Sequence, residues 1–598
     1  MIVENRPFLG VSRSVTGRTW TDRLDEDGRR AAQTIAQRLE LTDVLSRVLA
    51  GRGVTAEGAA AFLSPTIREL MPNPSLLLDM DTAAERLAQA IAGRERIALF
   101  GDYDVDGACS CALMTRYLRS FGIEPIVYIP DRIFEGYGPN IPAIDRLIEA
   151  GATLLVTLDC GTVSDAPIAH ARARGLDVLV IDHHLSDLEL PPANAVVNPN
   201  RPDDISELGN LCAAGVTFMV LVAINRTLRG KGVAAKLPDL MGFTDLVGLA
   251  TVCDVVPLTG LNRAFVVRGL EAARRGSNAG ITALALAARL SGPLNAYHLG
   301  FLIGPRINAG GRIGDAALGA KLLSLDDGHE AMTIAATLDE LNGERQRLEV
   351  DAVAEAVAAA DAEIGTGEGP PLLVLASANW HQGVVGLVAA RLRERFERPA
   401  FAIALQPDGS GTGSGRSMPG VDLGRAVIDA VDLGIIAKGG GHAMAAGITV
   451  RPGQLGPFRA HATTLLAEDI ALARMATALR IDAAVTARGA TPQLAADMAR
   501  AGPFGSGNPA PTLAFPAHRI KFAEIVGQGG HVRLTLQSDD GARLKAIAFR
   551  AASSPLGALL LGAGGDRPLH VAGTLDLDHW QGREQAQLRV CDAALPQG

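Results

Sequence analysis

The chain has 598 residues, of which 48% are hydrophobic and 20% are charged, and its formal net charge at pH 7 is −9. This length exceeds what one hydrophobic core supports, and the ordinary composition excludes a chain that is disordered by default. The negative charge excludes binding to nucleic acid through bulk basicity, although it leaves room for local basic patches.

Secretion and membrane insertion are not expected. The sequence begins without an apolar stretch of the signal-peptide kind, and no run approaches about 18 uncharged apolar residues. The six cysteines are scattered, without the paired spacing of a disulfide framework or a zinc site. We therefore expect a cytoplasmic protein that does not span a membrane.

The first 200 residues change from short helices to a regular alternation. Residues 1–75 contain short helical stretches and end in a Pro-containing segment. From about residue 80, helical patterns alternate with apolar runs of strand type, at 97–100, 125–129, 154–158 and 178–181. This alternation is typical of βαβ units and predicts a parallel sheet.

The rest of the chain is divided by composition. A helical portion is followed by an Ala/Glu/Leu-rich helix, a glycine-dense α/β segment and short alternating segments with glycine turns. We predict an α/β protein with an N-terminal helical segment at 1–75, a parallel-sheet catalytic domain at 76–327, a connecting helix at 328–362, a smaller α/β domain at 363–455, a linker helix at 456–477 and an OB-like β-barrel at 478–598.

Four acidic clusters mark where function is expected. They are Asp102-Tyr103-Asp104-Val105-Asp106-Gly107, Leu158-Asp159-Cys160-Gly161, Asp182-His183-His184 and Cys253-Asp254. They follow or close apolar runs, so we expect them at the carboxyl edge of the sheet, where α/β proteins place their ligands.

These residue types suit a metal site. Carboxylate oxygens bind hard divalent cations, and a neutral imidazole shifts the preference toward manganese without excluding magnesium. One Asp at the end of a strand is more often a helix cap, but four clusters together favour a shared site. We predict two metal ions about 3.5 to 4 Å apart, a spacing used for hydrolytic attack on phosphorus.

The clusters resemble the motifs of the DHH phosphoesterase superfamily. Gly439-Gly440-Gly441-His442 is similar to the motif of its associated DHHA1 domain, and the segments 304–309, 380–384 and 503–509 are also family-like. The resemblance implies two Mn²⁺ or Mg²⁺ ions, metal ligands at Asp104, Asp106, Asp159, His183 and Asp254, and a supporting role for the ligand shell or the leaving oxygen at Asp182 and His184.

One position departs from the superfamily pattern. Smaller members carry a His four residues before the first motif carboxylate, whereas this chain has Phe100. Asp102 is a candidate for that coordination role, and the resemblance leaves open whether it is a ligand.

Candidates for binding the substrate are polar side chains in Gly-rich loops and turns. Backbone amides in such turns and Arg side chains suit a terminal phosphate. The candidates are Arg132, Arg306, Asn308, Ser414 and Arg416, with a structural ion pair as the alternative for each Arg, and His442 facing the scissile phosphate or capping its loop. The family resemblance favours a phosphate role for Arg132, Arg306 and Arg416.

The C-terminal segment carries a local excess of basic residues. They are His518, Arg519, Lys521, His531, Arg533, Arg543, Lys545 and Arg550. An OB-like groove of this charge tracks a single strand, and Phe522 or Trp580 is available for base stacking. The alternatives are a solvated charged face and aromatic residues that belong to the core.

The resemblance extends over most of the chain and implies an enzyme of the branch that degrades single strands. Its implied activity is metal-dependent 5′-to-3′ exonucleolytic cleavage of single-stranded DNA to 5′-mononucleotides in DNA repair and recombination. The implied partners of the monomer are DNA with a 5′ end, single-strand-binding protein and a helicase. The alternatives are a phosphoesterase for short oligonucleotides or cyclic dinucleotides, which usually lacks the barrel, and a non-catalytic binding protein.

Overall fold

The computed structural model describes residues 6–186, 189–232, 237–365, 367–475, 478–527, 529–563, 567–580 and 583–596. Its chain forms two compact units. The barrel unit comprises Met1–Leu70, Pro257–Ala264 and Thr477–Gly598, and the sheet unit comprises Met71–Val256 and Phe265–Ala476. All four acidic clusters belong to the sheet unit.

The sheet unit contains the predicted parallel sheet. Its five strands lie in the order Ile126–Tyr128, Ile97–Gly101, Leu154–Leu158, Asp177–Ile181 and Ala195–Val197. Strands Ile97–Gly101 and Leu154–Leu158 are buried at every residue, which explains their continuous apolar runs. The next two strands along the chain flank Ile97–Gly101 on opposite sides, and this change of direction creates the crevice in which such sheets bind ligands.

Helices accompany this sheet and extend beyond it. Those up to Lys231 are Met80–Gly93, Val105–Arg119, Ile141–Glu149, Asp165–Ala173 and Ala213–Lys231. The following ones are Thr244–Cys253, Gly260–Arg274, Ala279–Ala287, Ala296–His298, Gly304–Ile313, Ala317–Leu323 and the connecting helix Gly328–Ile364, with a π-helical turn at Leu299–Ile303.

A second, mixed sheet completes the sheet unit. Its order is Lys438–His442, Ala445–Val450, Gly411–Arg416, Ala400–Leu405 and Leu373–Ser377, and only the last two strands pair in parallel. Its helices are Val385–Phe396, Leu423–Asp432 and Leu455–Met475. The smaller α/β domain predicted after the connecting helix is therefore confirmed.

The barrel unit contains the predicted closed β-barrel. Its ring of strands is Leu513–Val526, His531–Gln537, Arg543–Ala548, Arg583–Ala594 and Pro568–Trp580, and the last pairs again with the first. Its helices are Glu26–Leu39, Asp43–Ala50, Ala59–Leu63, Ile67–Leu70, Pro492–Ala499 and Pro555–Gly562. Strand Ala483–Ala484 pairs beside the ring.

Three local predictions were wrong. The segment containing Arg306 and Asn308 is the helix Gly304–Ile313 and not a loop, because its glycines pack where a side chain would clash; a Cβ at Gly311 would lie 2.7 Å from the Tyr103 carbonyl oxygen. The Gly-rich segments ending at Arg416 and His442 are paired strands and not turns. Strand Thr19–Asp22 was not predicted, because its parallel partner Ala478–Ile481 lies far away in sequence.

The sequence predicts neither a membrane-spanning helix nor a disulfide framework. Over the described ranges, no helix is both long enough and apolar enough to cross a bilayer. All six cysteines are free thiols.

Candidate metal centre and substrate cleft

The first acidic loop is shaped by the helix that follows it. Asp104 caps Val105–Arg119, and its carboxylate accepts the backbone N–H groups of Asp106 and Gly107 at 2.9 and 3.1 Å. A Cβ at Gly107 would lie 2.4 Å from the Asp102 carbonyl oxygen. Glycine therefore allows the helix to begin directly against the loop, which directs the loop carboxylates to the edge of the sheet.

Asp106 and Asp159 are the most buried of the predicted ligands. The carboxylate of Asp106 accepts the N–H groups of Ala213 and Ala214, at 2.6 and 2.8 Å, at the start of the helix Ala213–Lys231. Asp159 has a left-handed backbone with φ of 65°, which non-glycine residues adopt rarely and often at functional sites. Its Oδ1 has no hydrogen-bond partner among the described residues.

His183 lies between these carboxylates and Asp254. Its Nδ1 is 3.0 Å from the Leu211 carbonyl oxygen, which places a proton on Nδ1 and leaves the Nε2 lone pair available. Nε2 lies 3.3 Å from Asp159 Oδ1 and 3.7 Å from an oxygen of both Asp106 and Asp254. An imidazole held by a backbone carbonyl on one side is typical of a metal ligand.

Buried Asp182 and half-buried His184 form a pair beside the centre. His184 Nδ1 lies 2.8 Å from Asp182 Oδ1, and the second oxygen of Asp182 accepts the hydroxyl of Thr162 at 2.7 Å. Burial alone lowers the pKa of His184, but the hydrogen bond and charge of Asp182 outweigh it and raise that pKa to about 9. Burial likewise opposes ionisation of Asp182, yet the bonds from His184 and Thr162 hold its pKa below the ordinary value.

The clustered carboxylates repel one another. Burial first, and then neighbouring carboxylates, raise the pKa of Asp102 and Asp159 well above the ordinary value, and burial with Asp106 and Asp104 raises that of Asp254 to about 9. Such a cluster stays ionised at neutral pH only when cations neutralise it.

The donor set fits divalent metal ions. Ligand atoms lie within 4.8 Å of one another in three groups, which are Asp106 with His183 and Asp254, Asp159 with His183 and His184, and Asp102 with Asp104 and Asp159. Buried Asp102 Oδ1 also has no hydrogen-bond partner among the described residues, which supports Asp102 as a further ligand. Phe100, where smaller superfamily members carry His, is buried and stacks on Tyr128 at 5.4 Å.

A cleft of about 910 Å³ in the sheet unit lies next to these residues. It is lined by Tyr137, Arg132 and Arg312 from the first α/β domain and by Ser414 and Lys438, among others, from the second. The Tyr137 hydroxyl donates to the Asp159 carbonyl oxygen at 3.2 Å and lies 3.0 Å from His184 Nδ1. This tyrosine connects the cleft to the metal centre.

Two arginines that line the cleft, Arg132 and Arg312, and Arg416 behind it have no acidic partner among the described residues. Burial, then the positive charges of Arg132, Arg345 and Arg416, lower the pKa of Arg312 to about 10. Arg416 donates to the Ser414 hydroxyl and the Gly415 carbonyl, both at 2.8 Å, which fixes its guanidinium. Guanidinium groups that repel one another and lack a carboxylate partner form a site for an anion.

Arg306 and Asn308 are placed differently. Arg306 forms an ion pair with Asp339 at 2.8 Å and donates to the Leu302 carbonyl oxygen at 2.6 Å, and neither residue lines the cleft. The structural ion pair that we considered for Arg306 is thus present. His442 is exposed at the end of strand Lys438–His442, and partial burial followed by the charges of His184 and His183 lowers its pKa.

Several residues of the site were missed at the level of sequence. Arg312 lies three residues after the family-like segment 304–309, so its charge was a usable signal. Tyr137, Thr162 and Lys438 carried no signal, because each lies far in sequence from the residues that it contacts or faces.

The barrel surface is less basic than its sequence indicates. Arg519 and Arg533 form ion pairs with Asp539 and Glu524, and His518 is only 1% exposed and accepts the Ala487 N–H at 3.0 Å. A groove of about 360 Å³ is nevertheless lined by Phe522, Arg533, Lys545 and other residues, and Phe522 is 50% exposed. The side chain of Trp580 lies outside the described residues.

The parallel sheet, the carboxylate and imidazole cluster at its edge and the attached mixed-sheet domain define a phosphoesterase of the DHH superfamily. Family models agree: the DHH family N-terminal domain matches residues 96–243, the DHHA1 domain matches 369–468 and the RecJ OB domain matches 481–592. The chain belongs to the RecJ family of single-stranded-DNA-specific exonucleases, as the following relatives show.

The chain is 34% identical to the single-stranded-DNA-specific exonuclease RecJ of Salmonella typhimurium, over 94% of this chain and 98% of that protein. It is 35% identical to RecJ of Escherichia coli, over 92% of this chain and 96% of that protein. The crystal structure of RecJ from Thermus thermophilus in complex with Mn²⁺ has a TM-score of 0.78 and 28% identity, over 95% of this chain and 78% of that one. A Mg²⁺ complex from the same organism has a TM-score of 0.73.

Proposed function

We propose that this chain is a metal-dependent exonuclease that degrades single-stranded DNA from the 5′ end to 5′-mononucleotides. The observation that supports this proposal most directly is the cluster around His183, whose Nε2 lies 3.3 Å from Asp159 and 3.7 Å from Asp254. Its ligands are Asp104, Asp106, Asp159, His183 and Asp254, with Asp102 as an additional one. Two divalent cations bound there supply an activated water molecule and neutralise charge on the scissile phosphate.

The remaining chemistry is assigned to side chains around the cluster. His184 uses Nδ1 for Asp182, so its Nε2 is free to donate a proton toward the leaving oxygen. Tyr137 and Thr162 hold this pair in place by hydrogen bonds. His442 is assigned to the scissile phosphate on the family resemblance; partial burial, and then the charges of His184 and His183, lower its pKa.

The arginine-lined cleft is assigned to the 5′-terminal phosphate. Arg132, Arg312, Ser414 and Arg416 supply the donors, and no carboxylate in the described residues neutralises the guanidinium groups. Arg306 and Asn308 are left with a secondary role in substrate binding, since the Arg306 guanidinium is already paired with Asp339. Binding of the 5′-terminal phosphate in this cleft would explain cleavage that starts from the 5′ end.

The barrel favours long single strands over short oligonucleotides or cyclic dinucleotides, since its groove offers Phe522 for stacking and Lys545 for phosphates. We further propose a monomeric cytoplasmic protein that acts in DNA repair and recombination with single-strand-binding protein and a helicase.

The test is to incubate the full chain with long single strands labelled at either end, with Mn²⁺, with Mg²⁺ or with a chelator. We expect early release of the 5′ label as a mononucleotide, dependence on metal, and loss of cleavage in His183→Ala and Asp182→Ala. His329→Ala, which changes an exposed histidine, is the control and should cleave normally. Initial release from the 3′ end, or full activity in both variants, would refute the proposal.

A further inference from the structure

One face of the mixed sheet in the sheet unit forms a wall of the cleft. Strands Gly411–Arg416, Ala445–Val450 and Lys438–His442 lie side by side, and successive side chains along each strand point to opposite faces. Gly413 is buried on the core side, whereas Ser414 lines the cleft. The side chains that face the cleft are therefore arranged in rows across the three strands, and neighbouring rows lie two residues, or about 7 Å, apart.

The strand register defines three such rows. The inner row consists of Arg416, Ala445 and His442, the glycine row of Ser414, Gly447 and Gly440, and the outer row of Thr412, Thr449 and Lys438. The charges of His184 and His183 act on His442, which places the inner row toward the metal centre. The outer row lies beyond the glycine row, on the side away from that centre.

The glycine row leaves the backbone of the sheet open to the cleft. Gly440 and Gly447 are paired across two strands, neither has a left-handed φ, and a Cβ at either would meet no heavy atom within 4 Å. The fold therefore does not require glycine at these two positions. Glycine inside a strand weakens the strand and often marks a place where a ligand approaches the backbone closely. The row provides an open passage between the two polar rows.

The outer row carries donors that the protein itself does not use. Lys438 is exposed and has no carboxylate partner within the described ranges, where the hydroxyls of Thr412 and Thr449 also have no hydrogen-bond partner. The register places Thr449 directly between Thr412 and Lys438. An ammonium group and two hydroxyl groups arranged in this way suit the oxygen atoms of a phosphate.

The cleft as a whole is cationic and larger than one terminal phosphate needs. Its described lining includes Arg132, Arg312 and Lys438 but no carboxylate, and its volume of about 910 Å³ lies near the upper end of the range of small-molecule sites, about 300 to 1,000 Å³. A terminal monophosphate held beside Ser414 leaves the outer row, about 7 Å away, without a ligand. An end group with further phosphates would reach that row.

We propose that the outer row binds the outer phosphates of a 5′-triphosphate, so that the enzyme also accepts single strands that begin with this end. The inference rests on the proposed assignment of the cleft to the 5′-terminal phosphate and extends it. The hydrolysis itself is unchanged: water attacks the first internucleotide phosphorus, the bond from phosphorus to the 3′ oxygen breaks, and that oxygen takes up a proton. The first product is then a nucleoside 5′-triphosphate, and the shortened strand keeps a 5′-monophosphate.

The test compares one single strand prepared with a 5′-hydroxyl, a 5′-monophosphate or a 5′-triphosphate. Fluorescence anisotropy in chelator measures binding of each strand to the full chain. We expect the triphosphate end to bind about tenfold more tightly than the monophosphate end, because it adds hydrogen bonds to charged groups, and the monophosphate end to bind more tightly than the hydroxyl end. With Mn²⁺, chromatography of the products should show a nucleoside triphosphate first and mononucleotides afterwards.

Substitutions in two rows separate the outer row from the rest of the cleft. The preference for triphosphate over monophosphate, measured as the ratio of the two Kd values, should fall about fivefold in Lys438→Gln and about twofold in Thr449→Val. Ser414→Ala should weaken binding of both phosphorylated ends and leave this ratio unchanged. The control is Lys321→Gln, which changes a lysine paired with Glu330 at 3.0 Å outside the cleft lining, and it should alter neither Kd.

Equal affinity for the monophosphate and triphosphate ends would overturn the inference. A dinucleotide as the first product would also overturn it, because the outer row would then hold a nucleotide, and so would equal losses on both phosphorylated ends in Lys438→Gln. Equal binding of the hydroxyl and monophosphate ends would instead refute the assignment of the cleft to the 5′-terminal phosphate.

Discussion

The sheet unit and the barrel unit both carry charged residues around a cavity, but they differ in how those charges are paired. In the sheet unit, carboxylates face carboxylates at the candidate metal centre, and the arginines at the cleft have no acidic partner within the ranges that the structure describes. In the barrel unit, half-buried Arg519 and exposed Arg533 are already paired with Asp539 and Glu524. Charge alone, as read from sequence, does not distinguish these two situations.

The difference is one of energy. Exposed ion pairs contribute little, since water and salt screen them, whereas a buried group without a partner of opposite charge is unfavourable until a ligand supplies it. We therefore expect substitutions at the metal centre to have the largest effects, those in the arginine cleft intermediate effects, and those on the barrel groove small ones.

Asp159→Asn should break the metal centre most completely. We expect kcat to fall by about 10³-fold or more, because a shared ligand is lost. The unfolding temperature in chelator should rise, because one of several repelling carboxylates is removed. Single-turnover cleavage of labelled strands and thermal unfolding measure the two effects. Asp351→Asn, exposed on the connecting helix, is the control, and retained activity in Asp159→Asn would contradict the assignment.

Asp245 is a buried carboxylate outside the metal centre, and it tests the energetic cost of burying an unpaired charge separately from metal binding. Asp245 is 2% exposed, its Oδ2 has no hydrogen-bond partner among the described residues, and burial raises its pKa from 3.8 to about 6. A raised folded-state pKa gives stability that is present below the ordinary pKa and lost as the pH rises through about 6.

Asp245→Asn should therefore stabilise the chain at pH 7, by about 3 kcal/mol at most, and remove this part of the pH dependence. Nuclease activity should not change, since Asp245 belongs to none of the groups of metal-binding residue types found among the described residues. Denaturant unfolding at pH 4 and pH 7 measures the difference. Asp165→Asn, exposed in the first turn of another helix, should show no comparable gain. Equal gains at both pH values would count against the interpretation.

Arg416 and Arg306 provide a matched pair for the cleft. Arg416→Lys should raise KM about tenfold for strands with a 5′-phosphate, because a lysine cannot reproduce the two-pronged guanidinium contact. Strands with a 5′-hydroxyl should be affected much less. Arg306→Lys keeps a charge beside Asp339 and should change KM by less than about threefold. Similar losses in both variants, on both kinds of strand, would argue against a phosphate site in the cleft.

The smallest effect is expected on the barrel. Lys545→Gln should weaken binding of long single strands about two- to threefold. The slope of log K against log salt concentration should become shallower by about 0.7, because one phosphate contact is lost. Arg533→Gln should be weaker still, because Glu524 already neutralises that guanidinium. Fluorescence anisotropy over a range of salt concentrations measures both. A larger effect for Arg533 than for Lys545 would show that the ion pair does not persist in the complex.

Much of the fold could be predicted because buried strands and helices have recognisable patterns of apolar residues. Strands such as Leu154–Leu158 are buried on both faces and are therefore apolar throughout. The helix Gly304–Ile313 was missed because its glycines and proline predict a loop. It is stabilised by close packing that no local pattern shows, including the approach of Gly311 to Tyr103.

The site was predictable to the same extent. The first three acidic clusters follow strands, so their convergence could be predicted from the geometry of a parallel sheet, whereas Asp254 follows the helix Thr244–Cys253 and not a strand. The partners of these residues could not, because the contact of Thr162 with Asp182 and that of Leu211 with His183 depend on tertiary packing. The ion pair of Arg306 also could not be predicted from the sequence, since its partner Asp339 lies outside every motif.

The contact between Arg312 and Gly383 has a consequence for selectivity. Arg312 donates to the Gly383 carbonyl oxygen at 3.0 Å, and a Cβ at Gly383 would lie 2.3 Å from the Arg312 carbonyl oxygen. The two α/β domains of the sheet unit thus meet backbone to backbone beside the cleft, and no side-chain rotation can change that separation. We therefore expect the width of the cleft to change little, so that a strand would be selected by its thickness before any of its bases is contacted.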